Sequence, residues 1–322
     1  MSTHSKRAVV VGLHPNGIGK AIACRLASDG FSVVAVGRNK EGRADEIVKN
    51  LMECSSKSSC CSSGGGVQLK TKTQHEFRPC DAFSLAQVRE CAEGIVRDYG
   101  NSGIDALVMT QGMATIQGFT PTSEGNDEKL TLHFWSRAAF AVMLLPALRA
   151  SSMPGGAVVM SVLSGGVHSP FTKFAEDPEL KKKYSIKNAA DGAGFYTDLF
   201  FDKLATHQSN QRINFIHSAP GFVATNWGTE MPLYLRGPIR MLQKMGGKPP
   251  HKCAGFMVQP ILQCASGKIE LKRPNNNIDG LFIMNEDATS GNLAKLHTEE
   301  SIETVYQTTK TVLGKAGIAL ED

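Results

Sequence analysis

The sequence predicts an α/β protein: a doubly wound parallel sheet forming a single domain over residues 1–322, with a lid inserted after the sixth strand. Three observations predict it. Short apolar runs alternate with amphipathic helical patterns along most of the chain, which calls for parallel strands with helices on both faces. A glycine-rich turn follows the first apolar run. No internal repeat and no linker divides the chain.

The elements follow in order. "RAVVVGL" (Arg7 to Leu13) reads as a buried strand and "GKAIACRLASDG" as a helix ending at Gly30. "FSVVAVGR" is a second strand, and "EGRADEIVKNLME" a helix that runs into a Cys/Ser/Gly segment expected to be a flexible loop over 54–66. "HEFRPCD" ends at a third strand tip, followed by the amphipathic "SLAQVRECAEGIVRDYG". "IDALVMTQG" is the fourth strand, before a long helix around "EKLTLHFWSRAAFAVMLLPALRAS". "GAVVMSVLSGG" is the fifth, "AADGAGFYTDLFFDKLATHQS" a helix, "INFIHSAPG" the sixth and "GLFIMNED" the last strand.

Composition narrows the function. Hydrophobic residues make up 41% and charged residues 20% of the 322 residues, enough for a sizeable core. The net charge of +5 is spread out, with no basic block denser than "LKKKY", so nothing points to nucleic acid. No signal-peptide layout opens the chain. Its longest helical apolar stretch, Ala138 to Leu148, is about half the ~20 residues of a membrane span and contains Pro146. A soluble, cytoplasmic protein without a membrane span is expected. The eight cysteines lack the paired spacing of a zinc site, so no metal is expected.

The turn "GLHPNGIG" places Gly12, Gly17 and Gly19 between a buried strand and a helix start. Glycines there let the backbone approach a pyrophosphate, which then rests on the helix N-terminus. Strand two ends in Arg38, where a preference for NAD would call for an acid. A cation suits the 2′-phosphate of NADP, and a solvent-facing arginine is the alternative.

On these residues the chain resembles the short-chain dehydrogenase/reductase family, over nearly its whole length. "NGIG" (Asn16, Gly17, Ile18, Gly19) resembles the end of that family's glycine motif, with one extra residue after Gly12. Asp81 matches the family's aspartate near the adenine ring, and Gly112 is the glycine kept from its fourth-strand motif. "HSAPGFVATN" resembles the segment after strand six and brings Pro220, Gly221, Val223 and Thr225 to the cofactor. The resemblance implies a Rossmann-like fold and NADP as cofactor, with NAD open.

The family's acid/base tyrosine, with a lysine four residues on, is absent from its expected place. Counting back from Pro220 puts Ala190 and Gly194 there. Tyr196 lies about 240° further round the helix, and Phe200 stands four beyond it, so a packing role is the alternative to a catalytic one. Ser161 and Ser164 straddle the place of the family's serine, and Ser164 is the better candidate. His133 occupies the position of the family's helix asparagine, as a hydrogen-bonding or proton-carrying group or as a satisfied half-buried histidine. Tyr184 with Lys187 is a further candidate pair from the helix entrance, against a solvated charged loop. The expected function is NADP-dependent hydride transfer to or from a carbonyl or alcohol of an apolar small molecule, under a lid at 228–262. The alternative is a cofactor-binding pseudoenzyme. Homo-oligomerisation stays open.

Overall fold

The computed structural model describes residues 6–39, 42–57, 73–225, 231–267, 269–274 and 280–321. Within them, seven parallel strands form one sheet in the order β3-β2-β1-β4-β5-β6-β7. These are β1 (Arg7–Val11), β2 (Ser32–Gly37), β3 (Glu76–Pro79), β4 (Ala106–Met109), β5 (Ala157–Val162), β6 (Ile213–Ser218) and β7 (Leu281–Met284). Strands β1, β2, β4 and β5 are apolar almost throughout because both faces are covered.

On one face lie α1 (Ile18–Ser28), α8 (Pro250–Met257) and α9 (Gln259–Ala265), packing Ile22, Leu26, Met257 and Ile261 onto Val10, Ala35, Val108 and Met160. Helix α2 (Arg43–Lys57) joins this face through Ile47 and Leu51. On the other lie α3 (Leu85–Tyr99), α4 (Glu128–Leu130), α5 (Ser136–Arg149), α6 (Ile186–Thr206) and α10 (Glu299–Lys315). Their core is aromatic. Phe134 meets Trp135, Tyr196 and Phe200 at ring-centroid distances of 4.7, 5.3 and 5.9 Å.

The chain passes from α4 to α5 through one π-helical turn, Thr131–Trp135, and α5 then runs through Pro146 without ending. The helical stretch Glu128–Arg149 is therefore 22 residues long and apolar enough to span a bilayer, yet 83% of its most apolar window is buried inside the protein. It is a core helix here. The expected apolar stretch of Ala138 to Leu148 is shorter because it begins after Arg137, which the helix buries together with much of what precedes it.

Of the expected loop at 54–66, residues 58–66 lie outside the described set; 54–57 are still helical. The segment expected as a lid holds α7 (Leu233–Gly246), α8 and α9. Only α7 stands away from the core, with Leu233, Tyr234 and Met245 more than 70% exposed.

Candidate active site

The sheet order reverses between β1 and β4, and a cleft of about 710 Å³ opens there, beyond the carboxyl ends of the strands. The turn after β1 forms its floor. Gly12 has φ +93°, and a Cβ on it would lie 2.4 Å from the Gln111 backbone nitrogen. A Cβ on Gly19 would lie 2.4 Å from Thr110 Oγ1, so α1 can press against the tip of β4 only through glycine. Gly17 differs. Its φ of −94° suits any residue, and its Cβ would meet His14 at 3.3 Å.

Two helix N-termini show what the cleft is for. Helix α3 is closed from within: Ser84 Oγ accepts from Gln87 N–H, and the Glu124 carboxylate accepts from Leu85 and Ala86 N–H. Helix α1 has no side-chain cap, and Gly17, Ile18 and Gly19 at its start line the cleft. A helix start left open toward a cavity is a site for an anion.

The remaining expected nucleotide residues gather on the same wall. Arg38 lines it beside Arg43, Asp81 lies next to Phe83, and Gly112, Pro220, Gly221, Val223 and Thr225 close the far side. Asn16 is the exception: it is exposed and does not line the cleft. The Arg38 guanidinium lies 5.7 Å from the centroid of the Phe83 ring.

The expected catalytic residues are not brought together. At the tip of β5 it is Leu163 that lines the cleft, while the hydroxyl of Ser164 is buried without a hydrogen-bond partner. Tyr196 is fully buried, and its hydroxyl donates to the Pro178 carbonyl at 3.0 Å. Burial, then Asp177, pushes its pKa far above the usual phenol value, so it is no proton donor near neutrality. Tyr184 does not join Lys187. Its ring packs edge-on against Phe119 with the Lys129 ammonium 5.5 Å above it, whereas Lys187 pairs with Asp191 one turn along α6. Burial and the nearby Asp127 raise the Tyr184 pKa to about 12. His133 faces Gly112 from the π turn, where its Nε2 accepts from Met113 N–H at 3.1 Å. Burial first, then Arg137 and Lys129, lowers its pKa to about 3, so it is a neutral acceptor rather than an acid.

The place of the missing lysine is filled. A Cβ on Gly194 would lie 2.5 Å from Ser164 Oγ and 2.6 Å from the His168 ring. One turn further along α6, the fully buried Asp198 accepts from His168 Nε2 at 2.8 Å and from His217 Nδ1 at 2.6 Å. The partners fix the protonation states. His217 Nε2 accepts from Ser164 N–H, so that ring is neutral. His168 Nε2 lies against Asp198 and its Nδ1 3.2 Å from the Ser169 carbonyl, an arrangement that favours the protonated ring. Burial would lower its pKa, but Asp198 outweighs burial and raises it. Burial likewise opposes the charge on Asp198, and the two histidines hold it down to about 2. Two histidines and a carboxylate also meet the spacing of a metal site.

Sequence reasoning missed this knot, as well as Leu163 and the buried Arg137. A signal for the knot was present: an aspartate inside the apolar run "FYTDLFF" must find a partner if it is buried. The chain's Tyr-x-x-x-Lys, Tyr306 to Lys310, lies on α10, where Tyr306 stacks on Phe200 and donates to the Glu321 carbonyl, away from the cleft.

No family model matches the chain. An oxidoreductase of Emericella nidulans is 29% identical over 213 residues, covering 66% of this chain and 56% of that protein. A short-chain dehydrogenase/reductase of Stachybotrys chartarum is 29% identical over 234 residues, 68% of this chain and 60% of that one. The chain thus spans less than two thirds of the length of these relatives. Among solved structures, NADPH-bound carbonyl reductase from chicken fatty liver superposes with a TM-score of 0.56 at 14% identity, over 90% of this chain and 99% of that one. With the parallel seven-stranded sheet and the glycine turn at its switch point, these likenesses make the chain similar to short-chain dehydrogenases/reductases in fold and in part of its sequence.

Proposed function

We propose that the protein is an oxidoreductase that binds a nicotinamide dinucleotide, NADP in preference to NAD, and acts on a carbonyl or alcohol of an apolar small molecule. The uncapped N-terminus of α1 carries this reading, because it opens on a cleft that only glycines at 12 and 19 allow. The pyrophosphate would rest on the first-turn N–H groups of α1, Asp81 beside the adenosine, and the nicotinamide end between the tips of β4 and β5. Two arginines line the cleft where a 2′-phosphate would lie: Arg38, just after β2, and Arg43, at the start of α2. The bound cofactor supplies the hydride chemistry.

The inner wall supports an apolar substrate, since Met113, Ala114, Leu132 and Leu163 line it. None of the four expected acid/base residues lines that wall, so the proton of a reduction comes from water through the open mouth. A cytoplasmic setting belongs to this reading.

The test is titration calorimetry with NADPH and NADH. NADPH should bind about tenfold or more tightly, and Arg38→Asp should erase that difference. Equal affinities in the unmodified protein would refute the NADP preference. One observation favours a second reading, binding without turnover: Leu163, not a serine, faces the cleft. Tight NADPH binding with no turnover across a panel of aldehydes and ketones would establish it.

A further inference from the structure

Among the described residues, a buried cation without a carboxylate partner lies behind the inner wall of the cleft. Arg137, at the start of α5, is 2% exposed. Its guanidinium donates to the Gln111 carbonyl at 2.5 Å, Ser161 Oγ at 2.7 Å, the Val162 carbonyl at 3.0 Å and the Leu132 carbonyl at 3.3 Å. The Leu132 carbonyl, within the π turn, also accepts from Ser136 Oγ. All these acceptors are neutral oxygens. Among the described residues no carboxylate lies within 4.0 Å of Arg137; the buried Asp198 pairs with His168 and His217 instead. Burial lowers the Arg137 pKa to about 9, which leaves it charged at neutral pH.

Its position is close. Gln111 and Leu132, two of its partners, line the cleft, and a Cβ on Gly112 would lie 4.0 Å from Arg137 Nη2. One layer of backbone separates the charge from the inner end of the cavity. Arg137 itself is shut off from solvent, so its charge is screened only from the cleft side of that layer.

We propose that Arg137 makes the site discriminate between the two oxidation states of nicotinamide, holding the reduced dinucleotide more tightly than the oxidised one. The inference rests on the dinucleotide reading above. An oxidised nicotinamide ring carries a positive charge and a reduced one does not, while the phosphates and riboses are the same in both. Repulsion from a fixed cation therefore falls on one state only. A unit charge about 10 Å away, at an effective dielectric of about 20, changes such an equilibrium roughly tenfold or more. Because the two affinities are linked to the potential of the bound couple, each factor of ten raises it by about 30 mV for a two-electron couple. The bound oxidised ring becomes the stronger hydride acceptor, and the bound reduced ring the weaker donor.

Arg137 also staples the tips of β4 and β5, so weakened binding alone would not identify its electrostatic role. The ratio of the two affinities does. Calorimetric titrations of the full chain with NADPH and with NADP⁺ at pH 7 should show NADPH bound at least tenfold more tightly. Arg137→Gln should bring the ratio within about threefold of unity. Ser161→Asp should do the same while keeping the arginine, since it sets a carboxylate against Nη1; it decides the matter if Arg137→Gln does not fold. Equal affinities in the unmodified protein overturn the proposal, as does a tenfold ratio that survives in either folded variant. If neither form binds the unmodified protein, the dinucleotide reading itself fails and this inference falls with it.

Discussion

The two halves of the cleft are built on different economies. Along β1, α1 and β2 the wall is backbone: glycines, an open helix start and arginine side chains at the rim. Along β4, β5 and α6 the wall is held from behind by buried charge, with Arg137 on neutral oxygens and Asp198 between two histidines. The first half needs particular residues only where chain and ligand approach closely. The second needs each partner of each charge, because a buried charge left alone costs several kcal/mol. The teaching is that the nucleotide half tolerates side-chain change away from its glycines, whereas the inner half accepts almost none, including changes toward the family's usual pattern.

The sharpest way to break this contrast is Gly194→Lys, which puts the family's lysine back. Its Cβ alone would overlap Ser164 Oγ and the His168 ring, and its ammonium would have to enter a wall that is already filled. We expect a loss of roughly 3 kcal/mol or more in urea unfolding, or no soluble protein. A variant as stable as the unmodified chain would show that the inner half is not filled as described.

In the nucleotide half, Gly17→Val should separate binding from folding. The extended backbone at Gly17 suits valine, whose Cβ would press on His14 at 3.3 Å, and the added methyls stand where α1 opens on the cleft. NADPH binding should fall about 100-fold or more, some 2.7 kcal/mol, with the melting temperature little changed. Undiminished binding would move the cofactor elsewhere.

Acid should strike the inner half first. His133 has a folded-state pKa depressed to about 3 by burial, so the unfolded chain binds its proton first. Stability from this group is complete above the unfolded value of 6.5 and is lost as pH falls from there toward about 3. At pH 5 the loss should be about 2 kcal/mol relative to pH 8, and His133→Gln should remove most of that dependence. An identical pH profile in the variant would assign the acid sensitivity to other groups.

The smallest effect belongs to Tyr196→Phe. Deleting its hydroxyl removes one hydrogen bond to the Pro178 carbonyl, worth about 1 kcal/mol, and should change turnover less than twofold. A general acid contributes about 100-fold or more, so a collapse in kcat would overturn the packing role.

These differences explain what could be read from the sequence. The order of elements was legible because strands buried on both faces appear as continuous apolar runs such as "RAVVV" and "AVVMSV". The nucleotide half was legible because its requirements are local: the sequence places Gly12, Gly17 and Gly19 next to one another in the chain as well as in space. Asn16 fell outside the cleft because an exposed turn residue carries no such requirement. The inner half depends on segments distant in sequence. Whether Leu163 or Ser164 faces the cleft is a matter of one residue of register at the tip of β5. Arg137 hides in an apolar helix, and its partners come from β4, the π turn and β5. Asp198 shows itself as a buried charge, but nothing in the chain announces that its partners are His168, 30 residues before it, and His217, 19 after it.

The Asp198 knot also has a consequence in time. It ties the loop after β5, the middle of α6 and the strand β6 through one carboxylate, and His217 passes the tie on to the Ser164 amide. None of these segments can open to solvent without stripping the partner from a buried charge, so they open together or not at all. Their amide protons should exchange as one slow unit, at the rate of global unfolding, while those of the exposed α7 exchange early. The inner end of the cleft thus belongs to the most slowly breathing part of the molecule, and whatever moves to admit a substrate must move elsewhere.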